Sequence, residues 1–80
     1  MSIFDNISMK NETLFKLGQK IRYERVKRNM SQEELAAAAN MNFRSISYIE
    51  CGKHDVKILT LEKIAKAFNI NMTDLLEFRM

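Results

Sequence analysis

The spacing of apolar positions changes character along the chain. Residues 1–11 (MSIFDNISMKN) carry Ile3, Phe4 and Ile7 without a clear period and read as an N-terminal arm. From about Glu12 the pattern is helical. Leu14, Leu17 and Ile21 fall at i, i+3 and i+7, which lines one face of a first helix running to about Arg28. Ser31-Gln32-Glu33-Glu34 then spells a capping box, in which the serine hydroxyl and the glutamate side chain each serve the other residue's amide. It opens a short second helix, Gln32–Ala39. Asn40 can end that helix, because asparagine enters the left-handed region at low cost. Asn42 suits the N-cap of a third helix, Phe43–Glu50, with Gly52 placed to close it. Thr60 reads as the cap of a fourth helix holding Leu61, Ile64, Ala65 and Phe68. Asn71, with Asp74 three residues on, opens a short fifth helix with Leu75 and Leu76.

Five helices and no convincing strand predict an all-α domain over residues 12–80, following the arm at 1–11. Two short helices separated only by Asn40-Met41-Asn42 must cross sharply, which is helix-turn-helix geometry. Ala36 and Ala39 allow the close approach, and Met41 is placed to plug the junction. Ile46 and Ile49 anchor the back of the third helix. Phe43, Arg44, Ser47 and Tyr48 are left on its front, near its N-terminal end, where a helix meets base edges.

The run Gln32-Glu-Glu-Leu-Ala, then Asn42-Phe-Arg-Ser-Ile46-Ser-Tyr-Ile49-Glu50-Cys-Gly52-Lys53, then Leu61-Glu-Lys-Ile64-Ala65-Lys-Ala67-Phe68, resembles the Cro/cI-type family, the lambda-repressor-like or Xre helix-turn-helix domains. The resemblance spans roughly residues 14–77. It implies a compact five-helix domain whose third helix enters the major groove of double-stranded DNA. It also implies roles for single residues. Phe43, Arg44, Ser47 and Tyr48 match base-reading positions. Gln32 matches a residue that touches a phosphate and braces the reading helix. Asn42 and Ser45 lie close to the DNA backbone, and Lys53 matches a basic residue near phosphate. Three positions depart from the family pattern: Asn40 replaces its turn glycine, Cys51 replaces a frequent asparagine, and the loop His54–Leu59 lacks the frequent proline. Arg25 continues the apolar stripe of the first helix, and Glu50 lies one turn past Ile46. As in the family, the two are expected to form a buried salt bridge that holds the third helix, since a lone charge there costs several kcal/mol.

Composition narrows the function. The 80 residues supply one domain, and a hydrophobic share of 46% argues against disorder. Net charge is +3, and residues 16–28 hold Lys16, Lys20, Arg22, Arg25, Lys27 and Arg28 against Glu24 alone. That run reads either as a solvated face or as an electrostatic footprint near phosphates, with Arg28 and Lys27 best placed for the latter. Cys51 and His54 are spaced i, i+3, but zinc wants four ligands and no second pair exists, so no metal and no cofactor is expected. One histidine, one cysteine and two glycines leave little for a nucleophile–base pair or a phosphate loop, and no enzymatic activity is expected. A single cysteine, no signal-peptide pattern and no apolar run near the ~18 residues of a membrane span predict a cytoplasmic protein.

These readings converge on a sequence-specific DNA-binding transcriptional regulator: a Cro-like, controller-type or single-domain repressor without an evident small-molecule effector. One helix reads few base pairs, so a homodimer on a near-palindromic operator is expected. Its contact surface is expected at the C-terminus through Met72, Leu76, Phe78 and Met80, unless the arm residues Ile3, Phe4 and Ile7 cover it. The alternative is a protein-interaction module, such as an antitoxin or adaptor, on the same fold. Salt separates the two, because counterion release weakens DNA binding steeply and an apolar interface hardly at all.

Overall fold

The computed structural model describes residues 3–78, with side chains from Glu12 to Phe78. Five helices follow one another: α1 (Ile3–Lys27), α2 (Gln32–Ala38), α3 (Phe43–Glu50), α4 (Ile58–Phe68) and α5 (Met72–Leu75), with no strand among the described residues. The first helix starts at Ile3, well before the apolar stripe that marks it in the sequence. Once nucleated, a helix gains a backbone hydrogen bond for each added residue and needs no apolar period to continue. The stretch read as an arm is therefore helical in its backbone from Ile3; the side chains of Ile3, Phe4 and Ile7 lie outside the described residues.

The helix ends share one device. Asn29, Asn40, Asn69 and Gly52 take positive φ values of 56°, 54°, 59° and 70°. Each donates its N–H three residues back, to Val26, Ala37, Lys66 and Ile49 respectively. The next residue donates five back: Met30 to Arg25, Met41 to Ala36, Ile70 to Ala65 and Lys53 to Tyr48, at 2.8–3.2 Å. This is the Schellman pattern, which satisfies carbonyls the helix leaves open and turns the chain sharply. Met30, Met41 and Ile70 each fold onto the core directly after their asparagine. The departure from a turn glycine at Asn40 thus fits a rule the chain follows at three exits.

At the helix starts, the capping box of α2 is present: the Glu34 amide donates to Ser31 Oγ at 3.0 Å and the Ser31 amide to Glu34 Oε1 at 2.8 Å. Asn42 Oδ1 accepts from the Arg44 amide at 2.7 Å and starts α3. At α5, Asp74 Oδ2 accepts from the Asn71 amide at 3.1 Å. Helix α4 differs from expectation. It begins at Ile58 with Lys57 as N-cap and no side-chain cap bond, so Thr60 sits inside its first turn.

Each helix gives the core one fully shielded residue: Ile21, Leu35, Ile46, Ile64 and Leu75. Met72 and Phe78 also pack against this core. This bears on the C-terminal contact surface expected from sequence. Of its four members, two serve the domain's own interior, Leu76 is exposed, and Met80 lies outside the described residues. Ile58 and Leu59, on the first turn of α4, are large aliphatics also left exposed.

Two glycines fix how α1 lies on α3. A Cβ at Gly18 would collide with the carbonyl oxygen of Ile49 and come within 2.7 Å of that of Glu50. A Cβ at Gly52 would lie 2.8 Å from the backbone of Phe15 and would also need the left-handed conformation. Backbone thus meets backbone where the last turn of α3 rests on α1. Gly18→Ala should destabilise the domain by about 1–3 kcal/mol through forced separation of these helices. Urea denaturation of the purified variant checks this.

Candidate nucleic-acid interface

Helix α3 is sorted by exposure along its length. Ile46, Ile49 and Glu50 are buried, while Phe43, Arg44 and Tyr48 are exposed and Ser45 and Ser47 half-buried. The outward set expected from sequence is therefore together on one surface, beginning at the first residue of the helix. Asn42 spends its side-chain oxygen on the cap, which leaves its amide nitrogen free to reach outward.

Beneath that surface, Glu50 collects donors from two other helices. Arg25 of α1 forks onto it, Nε to Oε2 at 2.7 Å and Nη2 to Oε1 at 3.0 Å. The third guanidinium arm donates to the Met30 carbonyl at 2.7 Å. Gln32, the first residue of α2, adds Nε2 to Oε1 at 3.1 Å. The hydrogen bond to Glu50 raises the Arg25 pKa further above its ordinary value, against the opposing effect of burial. No buried side-chain nitrogen or oxygen is unsatisfied among the described residues. A bidentate fork fixes direction as well as distance, so this network sets the roll of α3 about its own axis. Gln32 has a second amide hydrogen to offer, and bracing and phosphate contact are compatible in one side chain.

The basic run of α1 is organised around one buried acid, with Arg22 and Lys27 still exposed on its outer side. Glu24 is only 5% exposed and gathers Lys20 at 3.0 Å, Lys27 at 3.2 Å and Arg28 at 2.7 Å. Arg28 also donates to the Glu24 carbonyl and stacks 4.8 Å from the Phe68 ring centroid. These bonds engage one nitrogen of the guanidinium and leave its other donors for the phosphate contact expected from sequence. Arg28 ties α1 to α4. The i, i+3 and i, i+4 spacings about Glu24 were readable in the sequence. What they lacked was the burial of Glu24. Burial alone would push the Glu24 carboxyl up, but hydrogen bonds from Arg28, Lys20 and Lys27 outweigh it and hold the pKa at about 2.

One contact had no sequence signal. The His54 ring meets Tyr48 edge-on, centroids 4.9 Å apart and planes at 66°. It steadies an outward aromatic of α3 from the loop that follows. Between that loop and α3 lies an open cavity of about 290 Å³ floored by Met41, Ile49 and Val56 and rimmed by Ser45, Tyr48 and Lys57. Lys53, just past the end of α3, is exposed. Cys51 is exposed, and among the described residues no three His, Cys, Asp or Glu side chains lie together as metal ligands would.

A sequence model of the helix-turn-helix family matches residues 21–75, from α1 through the end of α5. The chain belongs to this helix-turn-helix family. Within it, the chain is 42% identical over 71 residues to control protein C.BamHI of Bacillus amyloliquefaciens, covering 88% of both proteins. Among solved structures, the restriction-modification controller protein C.AhdI from Aeromonas hydrophila superposes with a TM-score of 0.76 at 31% identity, over 78% of this chain and 94% of that one. The controller protein C.Esp1396I, solved as a tetramer in complex with its natural 35 base-pair operator, gives a TM-score of 0.75 at 31% identity over 81% and 86% of the two chains. The fold these family members share is the five-helix arrangement described above. No helix of the described residues is long and apolar enough to cross a membrane.

Two outcomes follow from the ionic networks. Arg25→Ala leaves the Glu50 carboxylate buried without its main partner and should lower unfolding free energy by about 3–5 kcal/mol, measured by chemical denaturation. The folded-state pKa of Glu24 lies below the ordinary glutamate value of 4.5. Its contribution to stability is therefore complete above about pH 5 and is lost as pH falls toward 2, by up to about 3 kcal/mol. Unfolding midpoints of the unaltered protein and Glu24→Gln should accordingly converge as the solution is acidified.

Proposed function

We propose that this chain is a sequence-specific regulator of transcription of the controller type, working in the cytoplasm as a homodimer and catalysing no reaction. The observation that carries the proposal is the outward set Phe43, Arg44, Ser47 and Tyr48 on a helix whose back is locked by Arg25, Gln32 and Glu50. Rigid presentation matters because base edges are distinguished by donor and acceptor positions. Arg44 has the two-pronged donor geometry that guanine accepts in the major groove, and Phe43 suits the methyl group of thymine. Ser47 and Tyr48 add hydroxyls farther along the helix. Gln32, Ser45, Asn42 and Lys53 surround this set and suit phosphate oxygens, which position a protein without reading sequence.

A controller relative that sits on its operator as a tetramer supports the multimeric form. A two-fold dimer would set two copies of α3 about 34 Å apart, one turn of DNA. Its contact surface is assigned to Ile58 and Leu59, at 59% and 68% exposure, together with Leu76, the exposed member of the C-terminal set expected from sequence. Leu59→Asp should then shift the protein to monomers in sedimentation. An unchanged dimer would place the surface elsewhere.

Selection of bound duplexes from a random pool tests the reading as a whole. It should return a near-palindrome with half-sites about 10 base pairs apart, and a pool left without enrichment would refute it. Arg44→Ala should cost about 1–3 kcal/mol and relax preference at one base step. Lys53→Ala should weaken all duplexes alike and reduce the salt slope by about one unit.

A further inference from the structure

Apart from the Phe15 backbone against Gly52, the outer face of α1 takes no part in the contacts that hold α3. Phe15, Gln19, Arg22 and Val26 follow at spacings of four, three and four, which aligns them along one stripe of a helix, with Tyr23 at its edge. Phe15, Tyr23 and Val26 are 52%, 59% and 54% exposed. One exposed apolar side chain is ordinary, but three large ones on one stripe mark a contact surface. An open groove of about 430 Å³ runs between Gln19, Arg22, Tyr23, Val26 and Lys27.

Charge supplies the chemistry of the partner. Between Thr13 and Gln32 the single acidic residue is Glu24, and it is buried. The ammonium groups of Lys20 and Lys27 lie 5.6 Å and 5.2 Å from the centroid of the Tyr23 ring. Arg22 is exposed and forms no ion pair among the described residues. The face is thus an apolar strip edged by positive charge. We propose that it docks an acidic amphipathic helix of a partner protein, with that helix's apolar side on Tyr23 and Val26 and its carboxylates against Arg22 and Lys27. Helix-in-groove recognition needs this pairing of apolar anchors with complementary flanks. A DNA backbone would satisfy the cations but leave the three apolar side chains in water. A second copy of this face would set like charges against each other. The groove between Gln19 and Lys27 shares no residue with the reading surface, and α1 meets α3 on another side, through Gly18 and Arg25. The protein can therefore hold DNA and a partner at once.

A synthetic amphipathic peptide of about 15 residues, leucine on one face and glutamate on the other, is a sufficient probe. The full chain, isotopically labelled, is titrated with it while amide shifts are mapped. Peptides with scrambled leucine positions, or with lysine in place of glutamate, serve as controls. The expected shifts centre on Gln19, Arg22, Tyr23 and Val26, and the combined variant Arg22→Glu, Tyr23→Ser should bind about tenfold more weakly or worse. Its thermal midpoint and duplex affinity should stay those of the unaltered protein. Equal binding of the lysine or scrambled peptide, or shifts on another face, would overturn the proposal. Loss of duplex affinity in Arg22→Glu would overturn it in favour of DNA. A dimer abolished by Val26→Asp would do so in favour of a second copy.

Discussion

The ion pair between Arg25 and Glu50 is the constraint around which the domain is arranged. Taking two charges out of water is costly, and an apolar pair of similar volume would stabilise the fold as well or better. What an apolar pair cannot supply is direction. The guanidinium fork meets both carboxylate oxygens, its remaining arm holds the Met30 carbonyl at the end of α1, and Gln32 closes the set from α2. Two helices, α1 and α2, therefore converge on the last turn of α3. Gly18 makes that convergence possible by letting α1 approach the carbonyls of that same turn.

Neither α2 nor α3 is long enough to persist alone in water, with seven and eight residues respectively. Their helicity is held at the ends and along the back. Ser31 and Glu34 start one, Asn42 starts the other, and left-handed residues at Asn40 and Gly52 finish them. The same sharp exit at Asn40 sends Met41 inward and brings the two helices together over Ala36 and Ala39. Local capping and global crossing are thus one feature, which is how consistent sequences specify one structure. The outward side chains then have a fixed frame from which to meet base edges, and small errors in that frame would blur discrimination between bases.

Much of this was legible in the sequence where a residue's role is local. Ser31-x-x-Glu34 and Asn42 announce helix starts by their own side chains, and Ile46 with Ile49 fix which side of α3 faces in. Arg25 betrays its burial by continuing an apolar stripe. Legibility failed where a role depends on what lies across the fold. Nothing in the first eleven residues repeats, so the start of α1 had no signature. Thr60 fits a cap by type, yet the backbone of Lys57 turns first without any side-chain bond. Met72 and Phe78 look like spare apolar residues until α5 folds them onto the core. The contacts of Arg28 with the buried Glu24 and with the Phe68 ring are tertiary facts that no spacing shows. The Tyr48–His54 contact depends on a loop conformation that no pattern encodes.

The claim that the bridge orients the reading helix can be separated from its effect on stability. Replacing both partners together, Arg25→Met with Glu50→Leu, removes the fork without stranding a charge, and such exchanges often leave stability unchanged or raised. The decisive quantity is the ratio of affinities for a selected site and for unrelated duplex at one fixed salt concentration. The bridge account predicts that the doubly substituted protein stays folded while this ratio falls by about tenfold or more, with unrelated-duplex binding retained. A folded double variant that discriminates as sharply as the unaltered chain would contradict it.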